Sequence, residues 1–245
     1  MDLRDKPYLK EIRLKRELVT DFAQFPFCVP AVKELDSLQF HPDVTFFVGE
    51  NGAGKSTVIE AIAVAMDLNP EGGNKNTGFS TETTHSKLDG FIKTIKSFKK
   101  PTDYYFLRAE SFYNVATYLD KLIPPPIQGY GGKSLHKQSH GESFFSTITN
   151  KLKGNGFYVM DEPEAALSPA RQMAALSAIH QLVENSSQFI IATHSPILLA
   201  YPRARIYQFS EKGITEVSYE ETDHYEITKN FLNRHEQMMK ILMEG

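Results

Sequence analysis

The sequence predicts an α/β domain with a mainly parallel core sheet, and three observations predict it. Short runs rich in β-branched and aromatic residues recur along the chain, at residues 43–48 (DVTFFV), 103–107 (DYYFL), 157–160 (FYVM) and 189–193 (FIIAT), and read as buried strands. Segments with helical spacing lie between them, led by residues 56–68, where Val58, Ile59, Ile62, Ala63 and Met66 form one apolar stripe. The length, 245 residues, suits one large domain of this alternating kind.

The elements follow in order. Residues 8–14 alternate apolar and charged side chains, as a strand does, and residues 25–30 (FPFCVP) hold too much proline for a helix. Cys28 reads as a small residue in a partly buried strand. The helix at 56–68 stops at Asn69-Pro70. Residues 71–86 are polar, glycine-rich and aperiodic, which predicts a mobile loop. Residues 87–100 carry five lysines among apolar positions and read as a solvated helix with a face that could meet phosphate. A short helix is expected at 111–123 before Pro124, Pro125 and Pro126, then a mobile glycine-rich stretch at 127–139 and a helix at 143–152. An alanine-rich helix at 169–185, a hairpin of 205–209 with 215–219, and a charged helix over 225–243 complete the chain. No internal repeat and no long heptad array is present.

Composition narrows the function classes. Net charge is −3, so the whole molecule is no electrostatic magnet for nucleic acid or anionic membrane. One cysteine excludes an internal disulfide framework and suits a reducing compartment. No apolar run approaches the roughly 18–20 residues of a membrane span, and the first residues lack the apolar core of a signal peptide. A cytoplasmic protein without direct membrane insertion is expected.

Residues 49–57 carry the strongest chemical signal. Gly49, Glu50, Asn51, Gly52, Ala53, Gly54, Lys55, Ser56 and Thr57 fit G-x-x-x-x-G-K-[ST], placed after a strand and at the start of a helix. Glycines let successive main-chain N–H groups turn inward, and the helix start adds partial positive charge, so the turn is an anion nest for phosphates. Lys55 supplies an ammonium for the β- and γ-phosphates, and the Ser56 hydroxyl a ligand for Mg²⁺. Residues 157–162 form an apolar strand ending in Asp161 and Glu162, 106 residues after Lys55. A carboxylate in each place suits Mg²⁺ binding through Asp161 and general-base activation of water by Glu162. His194 and Ser195 are adjacent on a strand and so face opposite ways, which argues against a serine-hydrolase pair. His136 and His140 stand four apart without the further ligands that zinc requires.

Residues 161–168 (DEPEAALS) resemble the Walker B and D-loop run of ATP-binding-cassette (ABC) ATPases, on the Rad50, SMC and RecF side of that superfamily; Ser168 replaces the usual D-loop aspartate. Residues 138–143 (QSHGES) resemble the ABC signature, with Ser139, Gly141 and Glu142 matching and His140 departing from the pattern, 22 residues before Asp161. Residues 190–196 (IIATHSP) resemble the H-loop, whose histidine, here His194, meets the γ-phosphate. The resemblance implies one ABC-type domain over residues 1–245, with a parallel core sheet, an antiparallel β subdomain and a small helical signature subdomain inserted at about 70–152. It implies an ATPase that uses ATP and Mg²⁺. The two copies of an ATP-dependent homodimer would share the site, with Ser139, Gly141 and Glu142 acting on the nucleotide of the other copy. Glu110, after strand 103–107, stands where a Q-loop glutamine and its metal contact would be; Gln128 is the alternative. Adenine would stack on Arg13, Phe22, Phe25 or Phe27, which the sequence does not separate. The expected partner is DNA or a separate effector protein. The membrane subunit of a transporter is a further reading, as is a switch that binds ATP without turnover.

Overall fold

The computed structural model describes residues 7–75, 77 and 86–244. Strand β1 (Leu9–Leu14) is followed by helix α1 (Pro30–Lys33), β2 (Ser37–Gln39), β3 (Val44–Gly49) and α2 (Lys55–Ala65). Then come β4 (Ile92–Lys96), β5 (Asp103–Arg108), α3 (Phe112–Lys121), α4 (His140–Ser146) and β6 (Gly156–Asp161). Helix α5 (Pro169–Glu184), β7 (Gln188–Ala192), α6 (Pro196–Leu199), β8 (Ala204–Ser210), β9 (Gly213–Val217), α7 (Asp223–Asn233) and α8 (His235–Glu244) close the chain.

Six strands form the main sheet in the order β5-β6-β7-β3-β8-β9. All neighbours run parallel except β8 and β9, the expected hairpin. A second, antiparallel sheet has the order β2-β1-β4. Strand alternation divides the interior into two layers. Phe47, Phe157, Val159, Ile190 and Ala192 face the layer of β1, α1 and α2, whereas Phe46, Tyr158, Met160, Phe189 and Ile191 face that of α3, α4 and α5. Every residue of β3, β6 and β7 is buried, which explains why these runs are apolar without alternation in the sequence.

Six expectations need correction. Residues 92–96 are an edge strand paired with β1 and not part of a lysine-rich helix, because Ile92 is buried under the small sheet while the lysines project from it. Helix α2 ends at Ala65, before Asn69-Pro70, where Asp67 takes a left-handed conformation at φ 64°. The described part of residues 71–86 is held in place: Gly73 exchanges two main-chain hydrogen bonds with Phe106 at 2.8 Å, and Glu71 and Thr77 are buried. Residues 76 and 78–85 of that expected loop lie outside the described residues. Residues 127–139 fold into two 3₁₀ turns anchored by buried Tyr130 and Leu135. The C-terminal helix is two helices, broken at Arg234 (φ −136°, ψ 30°). Cys28 is exposed in a turn, not in a strand. Among the described residues, no helix is long and apolar enough to cross a membrane.

Candidate functional site

Parallel strands deliver their C-terminal ends to one edge of the sheet, the place where α/β proteins build ligand sites. β3, β6 and β7 are neighbours there and bring three segments together. Residues 49–54 leave β3, Asp161 ends β6 with Glu162 just after it, and Thr193, His194 and Ser195 follow β7.

Gly49 is required by close approach as well as by its φ of 145°: a Cβ there would lie 2.2 Å from the Phe209 carbonyl oxygen on β8. The loop then turns through Glu50, Asn51, Gly52 and Ala53, and Gly54 caps α2. Lys55 folds back over this loop, its Nζ donating to the carbonyls of Gly49 at 2.7 Å and Glu50 at 3.0 Å. Burial lowers its pKa, against the pull of Glu162, Asp161, Glu164 and Glu50. A cavity of about 240 Å³ opens beside the loop, lined by Asn51, Gly52, Gly54, Lys55, Ser56, Thr57 and Glu162, with Phe25 and Val29 on its other side.

Asp161 is 6% exposed, and burial pushes its carboxyl up to about 6. The Ser56 hydroxyl donates to its Oδ1 at 3.3 Å, and Arg108 Nε lies 3.6 Å from its Oδ2. Arg108 also pairs with Glu60 at 2.9 Å and with Glu110 at 3.3 Å. Glu110 itself is 83% exposed and meets Asp161 only through that guanidinium. Gln128 is exposed on a 3₁₀ turn and does not line the cavity. Glu162 takes a left-handed conformation at φ 52°, and its Oε1 lies 3.5 Å from His194 Nε2. The His194 main-chain N–H donates to Glu164 Oε1 at 2.5 Å, and Thr193 Oγ1 donates to Glu164 Oε2 at 2.7 Å. Glu164 therefore ties the segment after β6 to the one after β7, and burial raises its carboxyl. Ser195 turns away from His194: it caps α6 and donates to Gln172 Oε1 at 2.5 Å.

Ser139, Gly141 and Glu142 lie elsewhere; none lines the cavity beside Lys55. Ser139 is the N-cap of α4 in a capping box with Glu142. Glu142 accepts the Ser139 main-chain N–H at 3.0 Å and its hydroxyl at 2.8 Å, which lowers its pKa. A Cβ on Gly141 would lie 2.5 Å from the Ala166 carbonyl oxygen, so glycine lets α4 rest against the 3₁₀ turn Pro163–Ala166. Ser168, in the place of the D-loop aspartate, caps α5.

The four aromatic-site candidates separate by packing. Arg13 pairs with Glu11, Phe22 lies edge-on to Phe27 under Arg16, and Phe27 packs on Phe91. Phe25, 62% exposed, faces the cavity beside Lys55. His136 bonds Thr117, and no group of three or more His, Cys, Asp or Glu side chains able to hold a metal occurs among the described residues. Arg108, Glu164 and His224 were not singled out by the sequence reading. His224, on α7, reaches His194 Nδ1 at 2.9 Å. No local pattern marks Arg108 or His224; Glu164 lies inside the DEPEAALS run and could have been found there.

A family model described as an AAA domain matches residues 21–242. No curated protein matches the sequence. Among solved structures, the ADP conformation of an ABC-transporter ATP-binding cassette is 20% identical, with a TM-score of 0.51 over 85% of this chain and 89% of that one. The SMC head domain from Thermotoga maritima is 17% identical, with a TM-score of 0.45 over 86% and 99%. A nucleotide-free cassette from an ABC transporter is 19% identical, with a TM-score of 0.48 over 74% and 83%.

Proposed function

Because the chain belongs to the AAA-domain family and has the fold of an ABC-type P-loop ATPase, we propose that it hydrolyses ATP between two head-to-tail copies of itself. One observation carries the reading. Three neighbouring strand ends bring Lys55 and Ser56, Asp161 and Glu162, and His194 together: Ser56 is 3.3 Å from Asp161, Glu162 is 3.5 Å from His194, and Lys55, Ser56 and Glu162 line one small cavity.

In this reading the main-chain N–H groups of residues 50–57 cradle the phosphates, and Lys55 exchanges the Gly49 and Glu50 carbonyls for phosphate oxygens. Phe25 offers its exposed ring to adenine. The Ser56 hydroxyl and the Asp161 carboxylate are hard oxygen donors that fit Mg²⁺, and burial of Asp161 imposes a cost that a cation at that point relieves. These two residues would hold the ion, with Glu110 acting on them through Arg108; bound Mg²⁺ would neutralise charge on the phosphates. Glu162 takes the proton of the attacking water, and His194 donates a hydrogen bond to the terminal phosphate. Ser139, Gly141 and Glu142 would complete the site of the other copy, in keeping with none of them lining the cavity of their own chain.

The unit so described is one domain over residues 1–245 whose inserted segment, about 70–152, carries the signature. We place it in the cytoplasm, where closure of the dimer would act on DNA or on a separate effector protein.

Light scattering of the Glu162→Gln variant tests the reading. With ATP and Mg²⁺ its mass should rise from about 28 to about 55 kDa, the expectation for a pair of 27.7 kDa chains. Phosphate release should fall by about 10²–10⁴ with ATP binding retained. A monomer with ATP bound would overturn the homodimer, and full turnover would overturn Glu162 as the base.

A further inference from the structure

The contact between His194 and His224 joins the segment after β7 to the C-terminal part of the chain. His194 Nδ1 and His224 Nε2 are 2.9 Å apart, with ring centroids 5.0 Å apart and tilted by 51°. His224 is the second residue of α7, and the start of that helix is fixed from two sides. Fully buried Thr222 caps it and donates to the Tyr219 carbonyl at 2.8 Å, and Gln208 on β8 donates to Asp223 at 3.1 Å. The other nitrogen of each ring, His194 Nε2 and His224 Nδ1, is buried without a hydrogen-bond partner.

A neutral pair linked in this way can hold its bridging proton in two places only. If it sits on His194 Nδ1, then His194 Nε2 is a bare lone pair 3.5 Å from the Glu162 carboxylate, and His224 keeps its own proton on Nδ1 as a buried, unanswered donor. If it sits on His224 Nε2, then His194 carries its proton on Nε2, facing Glu162, and His224 Nδ1 is left as a buried acceptor. Orphaned donors are the rarer and costlier defect, and a lone pair against a carboxylate is repulsive, so both considerations choose the second arrangement. Burial also favours the uncharged form of each ring. Around His194 stand Lys55, Glu162 and Glu164, and around His224 stand Glu50, Lys55 and Asp223.

We propose that His224 is a positioning residue that donates Nε2–H to His194 Nδ1 and so holds His194 as the Nε2–H tautomer, a hydrogen-bond donor aimed into the nucleotide site. A donor is what a terminal phosphate requires, and this last clause rests on the ATPase reading above. Displacement of α7 would release the tautomer, which makes the C-terminal helix a lever on hydrolysis.

Nitrogen-15 NMR of the full chain labelled at histidine tests the tautomer without nucleotide, with His194 assigned by its absence in His194→Gln. His194 should show a protonated Nε2 and a bare Nδ1, and His224→Leu should mix the two tautomers. A protonated Nδ1 in the natural protein, or a tautomer unmoved by His224→Leu, overturns the proposal. In turnover, His224→Leu should lower kcat by about 10–100-fold, as loss of an orienting partner does, with KM within about twofold. His224→Gln, whose amide N–H can occupy the place of Nε2–H, should recover most of it. Wild-type kcat in the leucine variant, or equal loss in both variants, counts against a positioning role. If the natural protein shows no turnover, the ATPase reading falls and the NMR result alone decides the tautomer.

Discussion

The segment after β3 and the segment around α4 are both glycine-bearing turns that open a helix, yet they are built on opposite principles. The first is bolted to the sheet. Gly49 pairs in register with Phe209 on β8, β3 is buried throughout, and Lys55 closes the turn on itself. The second is tied to the helical layer: a capping box opens a seven-residue helix, Phe144 is buried against Phe112, Gly141 rests against the 3₁₀ turn Pro163–Ala166, and a π-turn follows at Thr147–Lys151. Strand ends inherit the rigidity of the sheet they leave, whereas a turn carried by a short helix can shift with the helical layer it packs in. The difference suits the proposed division of labour, in which one turn grips nucleotide and the other comes and goes with a second copy.

Substitutions can break this comparison. The largest effect is expected for Gly49→Ala, whose Cβ meets the Phe209 carbonyl oxygen at 2.2 Å with no flexible side chain to yield. A loss of about 3 kcal/mol or more in thermal unfolding is expected, together with loss of ATP binding. Asp161→Asn should act in the opposite sense. Because burial lifts Asp161 to about 6, the folded chain holds an extra proton between the ordinary carboxylate value and about 6, and stability falls as pH rises through that window. The asparagine variant without nucleotide should therefore be more stable at pH 8 by about 1–3 kcal/mol, with the advantage fading towards pH 4. Melting curves across that range check it, and an unchanged difference from pH 4 to 8 would contradict the assignment. Gly141→Ala sharpens the contrast with Gly49: its Cβ meets the Ala166 carbonyl oxygen at 2.5 Å, but the short helix can move, so about 1–2 kcal/mol and unaltered ATP binding to the monomer are expected. Smallest is Ser139→Ala, where loss of the N-cap should cost about 1 kcal/mol, read from melting, with nucleotide affinity of the monomer unchanged.

The core strands were legible because burial on both faces leaves an unbroken apolar run, and the phosphate loop was legible because its geometry admits few sequences. The lysine-rich segment at 87–100 was misread for a physical reason. IKTIK has no clear period, and its strand state is imposed by β1, about 80 residues earlier in the chain. Packing alone could separate Phe25 from Phe22 and Phe27, since all three share one proline-rich stretch and only Phe25 lacks a ring to lean on among the aromatic contacts described. The charged groups around Asp161 and His194 were harder still. Arg108 acquires its three carboxylates, and His224 its histidine, only when the sheet edge is assembled. The break at Arg234 has no proline or glycine to announce it.

The self-closed Lys55 gives the loop a built-in competitor for any anion. Its ammonium already has two carbonyl partners at 2.7 and 3.0 Å, so any anion that enters is weighed against them. A ligand that touches the loop at one point merely trades one set of contacts for another and gains little. A ligand with several phosphates and a ring to lay on Phe25 outbids the carbonyls at many points together. In the proposed function, selectivity for a whole nucleotide over free phosphate would thus begin in a lysine that is never left idle.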